Sequence, residues 1–151
     1  MRLIYYIFVL FILFAGEAVA QNKNTARKLF QQGKYDEAKP MFQKLLKRYP
    51  QNAEYNYWYA VCCYETNDSV DILPMLEYAA SRKISNAYRY LGDYHASLLG
   101  YPQAISYYGD FVDMTPDETL REEYRKRLSN ISRLNRMVMN CEKICFLDSF
   151  V

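Results

Sequence analysis

The sequence predicts an all-α protein, a solenoid of about three antiparallel helix pairs followed by a capping helix and a short strand-like tail. The first observation is an internal match at a fixed offset, in which Tyr35, Ala38, Phe42 and Pro50 reappear as Tyr101, Ala104, Tyr108 and Pro116. The second is that this offset is about twice 34 residues, the length of a common helix-turn-helix repeat. A fixed internal period of this kind indicates stacked helix pairs.

A weaker middle copy completes the array. Five of its positions follow their counterparts in the first copy by about 34 residues. Ala60, Cys63, Ile72, Leu76 and Ala79 correspond to Ala26, Leu29, Ala38, Phe42 and Leu45. The copies therefore occupy residues 21–52, 53–84 and 85–118. Antiparallel helices approach closely only where a small side chain faces a large one, so we expect the recurring alanines and Gly92 to face the rings of Phe42 and Tyr108.

Turn residues and apolar spacing place the individual helices. The predicted helices cover residues 23–32, 35–47, 53–65, 70–80, 86–98, 102–114 and 117–139. Gly33 and Gly100 mark the turns within the first and third copies. The segment Thr115-Pro116-Asp117-Glu118 combines a capping hydroxyl, a first-turn proline and acidic residues, and predicts the start of the last helix.

The last helix is expected to cap the array over residues 117–140. Its apolar side chains recur at spacings of three and four and would cover the exposed end of the third copy: Leu120, Tyr124, Leu128, Ile131 and Leu134. Residues 141–151 are rich in aromatic and β-branched types, which favours a strand. A lone strand has no partner for its backbone groups, so this tail is expected either to pair with another chain or to begin a further domain.

The segment from Met1 to Ala20 has the pattern of a secretory signal peptide. Arg2 precedes a run without charge from Leu3 to Ala15, and the segment ends in Ala18-Val19-Ala20. The alternative is a membrane anchor, but 13 helical residues span only about 20 Å of a roughly 30 Å hydrocarbon core. We therefore expect a mature chain that starts at Gln21 and is exported to a bacterial envelope, either in the periplasm or associated with the outer membrane.

Composition argues for binding rather than catalysis. The net charge of +2 gives no reason to expect nucleic acid or an anionic membrane surface as a partner. No phosphate-binding loop, nucleophile motif or stable acid pair occurs, so neither an enzymatic activity nor a cofactor is expected. The single histidine, His95, matches Leu29 in the internal repeat and is expected to pack in the core.

The four cysteines leave two possibilities. Cys62 and Cys63 are adjacent on a predicted helix, while Cys141 and Cys145 lie in the tail. Reduced, packed cysteines are the favoured interpretation, and a bridge from Cys62 or Cys63 to the tail is the alternative. A metal site would want closer cysteine pairs and more histidine, so none is expected.

The spacing and residue types of the copies resemble those of the tetratricopeptide repeat (TPR) family. More loosely, an exported array of this kind resembles the leading TPR module of multidomain envelope proteins from Bacteroidetes-like bacteria. The family resemblance implies that the first helices of the copies line a concave groove that holds an extended peptide or a partner helix. The groove residues carried over to this chain are Lys23, Arg27, Phe30, Glu54, Tyr57, Val61, Tyr64, Asn86, Arg89 and Asp93.

The resemblance implies a protein-interaction scaffold in the cell envelope. The basic set with which co-chaperone members of the family clamp a terminal carboxylate is mostly missing, because only Lys23 fits it. Arg27, Trp58, Asn86 and Tyr90 stand at the other positions, so a chaperone tail is not the expected partner. The alternative function is a glycan or cell-wall binding module, in which exposed tyrosines such as Tyr55, Tyr57 and Tyr64 stack on sugars.

Overall fold

The computed structural model describes the backbone of residues 22–148 and side chains as far as Cys141. The predicted signal peptide, the cleavage site before Gln21 and the last three residues of the tail lie outside the described residues. The described part contains seven helices and no strand: α1 (22–31), α2 (Tyr35–Arg48), α3 (Ala53–Glu65), α4 (Leu73–Ser81), α5 (Ser85–Ser97), α6 (Tyr101–Met114) and α7 (Glu118–Asp148). The prediction of an all-α fold is confirmed.

The chain divides into two compact units, the first ending at Ile72 and the second beginning at Leu73. In the first unit, α1, α2 and α3 pack through aromatic rings. The ring of Phe42 lies 6.0 Å from that of Phe30 and 5.2 Å from that of Trp58, measured between centroids. Ala26 and Ala38 are fully buried, as expected of small residues at close helix contacts.

In the second unit, α5, α6 and α7 surround a core of five buried residues, which are Ala104, Tyr108, Phe111, Val112 and Tyr124. Gly92 lies directly against Tyr108. A Cβ atom placed on Gly92 would lie 2.5 Å from Cδ1 of the Tyr108 ring, closer than any side-chain carbon is found. The expected contact between a small residue and a ring is therefore present at this position.

Four helix ends share one turn geometry. A residue with positive φ follows each helix, and the next residue donates its N–H to a carbonyl five positions earlier, the hydrogen-bond pattern of a Schellman motif. The positive-φ residues are Gly33, Asn67, Lys83 and Leu99. Gly33 has this conformation at the turn that it was expected to mark, whereas at the turn marked by Gly100 the positive φ belongs to the preceding residue, Leu99. Asn67 is of a type that tolerates positive φ, and Lys83 and Leu99 are not.

The predicted start of α4 shifts from Val70 to Leu73. Pro74 consequently stands in the first turn of α4 rather than inside it, where its missing N–H leaves no hydrogen bond unmade. At α7, the cap is the carboxylate of Asp117, which accepts a hydrogen bond from the N–H of Leu120 at 3.1 Å. The side chain of Thr115, expected to cap this helix, is buried instead.

The prediction of a strand-like tail is wrong for its described part. Residues 141–148 continue α7 as far as Asp148. Extending an existing helix adds one hydrogen bond for each residue fixed, whereas a lone strand would leave its backbone groups unpaired. This segment contains no glycine or proline that would end the helix. Among the described residues, no helix is both long and apolar enough to cross a membrane.

Candidate functional site

Two cations of α1 lie over an aromatic surface of α3. The ammonium of Lys23 is 5.7 Å from the ring centroids of both Tyr55 and Trp58, and the guanidinium of Arg27 is 5.8 Å from that of Trp58. Lys23 Nζ also donates to Glu54 Oε2 at 3.2 Å. We call these five residues the basic-aromatic surface. It presents charge to solvent on a rigid aromatic base, an arrangement suited to anchoring a partner chain.

The other groove candidates of the first unit lie deeper. Tyr57 is 7% exposed and Val61 is fully buried, and the ring of Phe30 packs 6.2 Å from that of Tyr57. Tyr64 is half-buried at the end of α3. Tyr57 and Val61 therefore belong to the buried part of α3, and the ring of Phe30 packs on its edge. Their assignment to a partner-binding groove stays a prediction.

Three further groove candidates stand on α5 in the second unit. Asn86 and Arg89 are half-buried, with the guanidinium of Arg89 4.7 Å from the ring of Tyr90. Asp93 is held inside its own unit, because its Oδ1 accepts from the hydroxyl of Tyr108 at 2.6 Å and from Arg127 Nη1 at 2.8 Å. Asp93 thus joins α5 to α6 and α7.

Burial changes the proton affinity of the groups around Asp93. Burial raises the pKa of Tyr124 to about 12, and burial together with the hydrogen bond to Asp93 raises the pKa of Tyr108 further. Both hydroxyls therefore stay protonated at neutral pH. In the first unit, burial raises the pKa of the Cys62 thiol to about 12, which leaves it protonated and unreactive.

Cys62 and Cys63 are both free and buried, and Cys141 is free and exposed. The packed, reduced interpretation of the α3 cysteines agrees with this arrangement. His95 stacks on Tyr107, with ring centroids 5.3 Å apart, but it is half-buried and does not lie in the buried core that its position in the repeat predicted. No cluster of three or more potential metal ligands occurs among the described residues.

Two of the tyrosines named for sugar stacking do not expose the ring faces on which a sugar would stack. Tyr55 and Tyr57 are 6% and 7% exposed, so the expectation that their faces lie open is wrong. Both belong to α3, which is buried from Tyr55 to Cys63. A helix that is apolar on every side gives no sequence signal for which face is exposed.

Sequence reasoning did not identify Trp58 as part of the site, although both Lys23 and Arg27 lie over its ring. The signal was present in the internal repeat. Trp58 and Tyr124 are separated by the same offset as Tyr35 and Tyr101. Each ring packs on the ring of the preceding helix: Trp58 on Phe42, and Tyr124 on Tyr108. The internal repeat therefore extends through the first half of α7.

Surface depressions are shallow. One of about 220 Å³ lies between α1 and α2 and is lined by Asn22, Met41, Lys44, Leu45 and Arg48. Another, of about 490 Å³, opens over the first turns of α7 beside Glu118 and Glu122. Neither contains a set of buried polar groups of the kind that orients a small-molecule ligand.

Residues 15–71 match the family model described as tetratricopeptide repeat. Solved structures extend the similarity over most of the chain. PcrH in complex with the chaperone binding region of PopD has a TM-score of 0.68 at 19% identity, over 79% of this chain and 94% of that chain. The all-α fold of this chain resembles that of TPR proteins.

Two further TPR-like structures agree. SycD, the type III secretion translocator chaperone of Yersinia enterocolitica, has a TM-score of 0.70 at 15% identity, over 80% of this chain and 88% of its own. The first TPR of Spaghetti (RPAP3), bound to the HSP90 peptide SRMEEVD, has a TM-score of 0.65 at 22% identity, over 78% and 93%. No curated protein matches the sequence closely enough to count as a relative.

Proposed function

We propose that this chain is a protein-interaction scaffold that binds a segment of a partner protein through the basic-aromatic surface. The observation that carries the proposal is the placement of Lys23 and Arg27 over the ring of Trp58. Partly exposed charges on an immobile aromatic base lose little conformational entropy on binding, which favours their use as anchors. The TPR-like fold supports this role, since PcrH and the RPAP3 domain were each solved with a bound protein segment.

The charges of the surface indicate the kind of segment. Lys23 and Arg27 contribute two positive charges, of which Glu54 offsets one through its pair with Lys23. A segment with an acidic residue would pair with Arg27, whose exposed side chain lies over the buried ring of Trp58. The role is one of binding, and we assign no catalytic step to any residue.

We also propose that the protein works in a bacterial cell envelope, in the periplasm or at the outer membrane. The support is the signal-peptide pattern of residues 1–20 in the sequence. N-terminal sequencing of protein recovered from the envelope fraction should give Gln21 as the first residue. Recovery of a chain that still begins with Met1 in the membrane fraction would contradict this part of the proposal.

Site-specific photocrosslinking in cells tests the surface. A photoreactive amino acid at Asn24, an exposed position of α1 that leaves Lys23 and Arg27 in place, should yield a defined crosslinked partner, and the same amino acid at Lys44, an exposed position of α2, should not. Calorimetry with the purified partner then compares two double variants. Lys23→Ala with Arg27→Ala should weaken binding by about 2 kcal/mol, whereas Lys44→Ala with Lys47→Ala should change it by a few tenths.

Equal affinity of the two double variants would show that the partner uses another surface. Thermal unfolding provides the check on folding, because Lys23 and Arg27 make only partly exposed contacts and their removal should shift the stability little. Absence of a crosslinked protein at Asn24 would contradict the proposal.

A further inference from the structure

The two cations of the basic-aromatic surface differ in what they contact. Lys23 Nζ lies 3.2 Å from Glu54 Oε2, and the two side chains are 35% and 51% exposed. Arg27 is exposed, and its guanidinium lies over the ring of Trp58. Within residues 22–141, no carboxylate forms an ion pair with Arg27. The chain itself therefore neutralises one cation of the surface and leaves the charge of the other for a partner.

Glu54 is placed so that it can leave Lys23 at little cost. It stands in the first turn of α3, where the partial positive charge of the helix N-terminus favours a carboxylate with or without Lys23. The cap of α3 is the side chain of Asn52, which accepts a hydrogen bond from the N–H of Tyr55 at 3.0 Å, so the start of the helix does not depend on the ion pair. An ion pair between partly exposed groups is also weak. The carboxylate of a partner can therefore replace that of Glu54.

The spacing of the two cations indicates the form of the partner. Lys23 and Arg27 are four residues apart on α1 and lie on one face of it, about 6 Å apart along the helix axis. In an extended chain, side chains two positions apart point to the same side and are separated by about 6.6 Å. Side chains three positions apart point to opposite sides. Two acidic residues separated by one residue would therefore meet both cations at once.

We propose that the basic-aromatic surface binds an extended segment in which two acidic residues are separated by one residue, and that Glu54 competes with the second of them for Lys23. This inference rests on the proposed function of the surface. One carboxylate of the segment pairs with Arg27, and the other displaces Glu54 from Lys23. Glu54 thus occupies the place of the partner in the free protein and weakens every complex in which Lys23 takes part.

Titration with three short peptides, followed by NMR, tests the proposal with the chain that starts at Gln21, which keeps every described helix. The two-acid probe is acetyl-Ser-Glu-Gly-Glu-Ser-amide. The one-acid probe is acetyl-Ser-Glu-Gly-Gln-Ser-amide, and the spacing probe, acetyl-Ser-Glu-Gly-Gly-Glu-Ser-amide, has the charge of the first at a longer separation. All three should shift the side-chain signal of Arg27, and the two-acid probe should also shift that of Lys23.

The variant Glu54→Gln removes the competing carboxylate and keeps the size of the side chain. In the unaltered chain, exchanging one carboxylate for another at Lys23 brings little net gain, so the two-acid probe should bind only about twofold more tightly than the others. Glu54→Gln should raise the affinity for the two-acid probe about fivefold and for the one-acid and spacing probes about twofold at most. Lys23→Gln should abolish the preference for the two-acid probe.

The matched control is Glu65→Gln, which removes the same charge from an exposed position at the other end of α3. It lies about 16 Å farther along the helix, beyond the screening length, and should leave all affinities nearly unchanged. Equal gains in Glu54→Gln and Glu65→Gln, or equal affinities of Glu54→Gln for the two-acid and spacing probes, would overturn the inference and leave the proposed function intact. If no probe shifted the signal of Arg27, the proposed function itself would fail.

Discussion

Helices α3 and α7 stand at equivalent positions of the internal repeat, yet they are buried to very different extents. Trp58 of α3 packs on Phe42 of α2, and Tyr124 of α7 packs on Tyr108 of α6, with ring centroids 5.2 and 5.4 Å apart. Nine consecutive residues of α3 are buried, whereas Tyr124 is the single buried residue among the described side chains of α7. The same kind of ring contact thus occurs in α3, whose middle residues are buried on every side, and in α7, whose outer face is exposed.

The residues around the ring contact account for the difference. Val61 of α3 corresponds to Arg127 of α7, and Arg27 of α1 corresponds to Asp93 of α5. In the second unit these two changes create an ion pair that joins α5 to α7. The first half of α7 therefore has the aromatic contact of a repeat helix but carries charged residues at most of the other positions that are buried in α3, as a terminal cap requires.

Exchanging the residues at one equivalent position should give the largest effect. Val61→Arg would place an unpaired charge at a fully buried site and should destabilise the fold by more than about 3 kcal/mol or prevent folding. Arg127→Val removes only a partly exposed pair with Asp93 and should cost about 1 kcal/mol or less. Urea unfolding measures both. Similar losses in the two variants would contradict the difference in burial between Val61 and Arg127.

A second test concerns Gly92, which corresponds to Ala26 of the first unit. Gly92→Ala drives a methyl group into the ring of buried Tyr108 and should cost about 1 to 2 kcal/mol, after allowance for the better helix propensity of alanine. Gly109→Ala in α6 is the matched control, because a Cβ there meets open space. It should stabilise by about 0.5 to 1 kcal/mol. Thermal melting of both variants tests whether the contact between Gly92 and Tyr108 leaves no room for a larger side chain at position 92.

Much of this architecture could be predicted because it follows from the internal repeat of the sequence. Six of the seven helices begin within one residue of their predicted positions, and the exception, α4, begins at Leu73, with Pro74 in its first turn. The period could not reveal the accessible face of α3, since its buried residues surround the helix. Nor could it reveal the end of α7, where β-branched residues favoured a strand but the preceding helix decided the outcome.

Alkaline pH should affect the two ring contacts differently, because Tyr108 and Tyr124 carry hydroxyls and Phe42 and Trp58 do not. Burial raises the pKa of Tyr124 from about 10 to about 12, so the folded state holds this proton more tightly than the unfolded chain. The resulting stability is fully present below about pH 10 and is lost as the pH rises toward 12. At pH 11 the loss from Tyr124 should be about 1 kcal/mol.

Tyr124→Phe should therefore reduce the alkaline loss of stability measured by urea unfolding between pH 9 and about 12. The Cys62 thiol, whose pKa is also raised to about 12, contributes to the loss in the same direction from about pH 9 upward. Cys62→Ala serves as the comparison in the first unit. If Tyr124→Phe left the alkaline profile unchanged, the Tyr124 hydroxyl would not be buried as the structure places it.

The smallest expected effect comes from the turns that precede α2 and α6. Gly33 and Leu99 are equivalent in the repeat, and both have positive φ, +72° and +60°. Leucine is strained there by about 1 to 2 kcal/mol, and glycine avoids that strain at an entropic cost of about 0.5 to 1 kcal/mol. Leu99→Gly should therefore stabilise the chain by about 0.5 to 1 kcal/mol, and Gly33→Leu should destabilise it by a similar amount.

Leu98→Gly is the control, because Leu98 has an ordinary φ of −93°, so glycine there should only destabilise. A loss of stability in Leu99→Gly would mean that this side chain, 70% exposed, makes a contact worth more than the strain of its backbone.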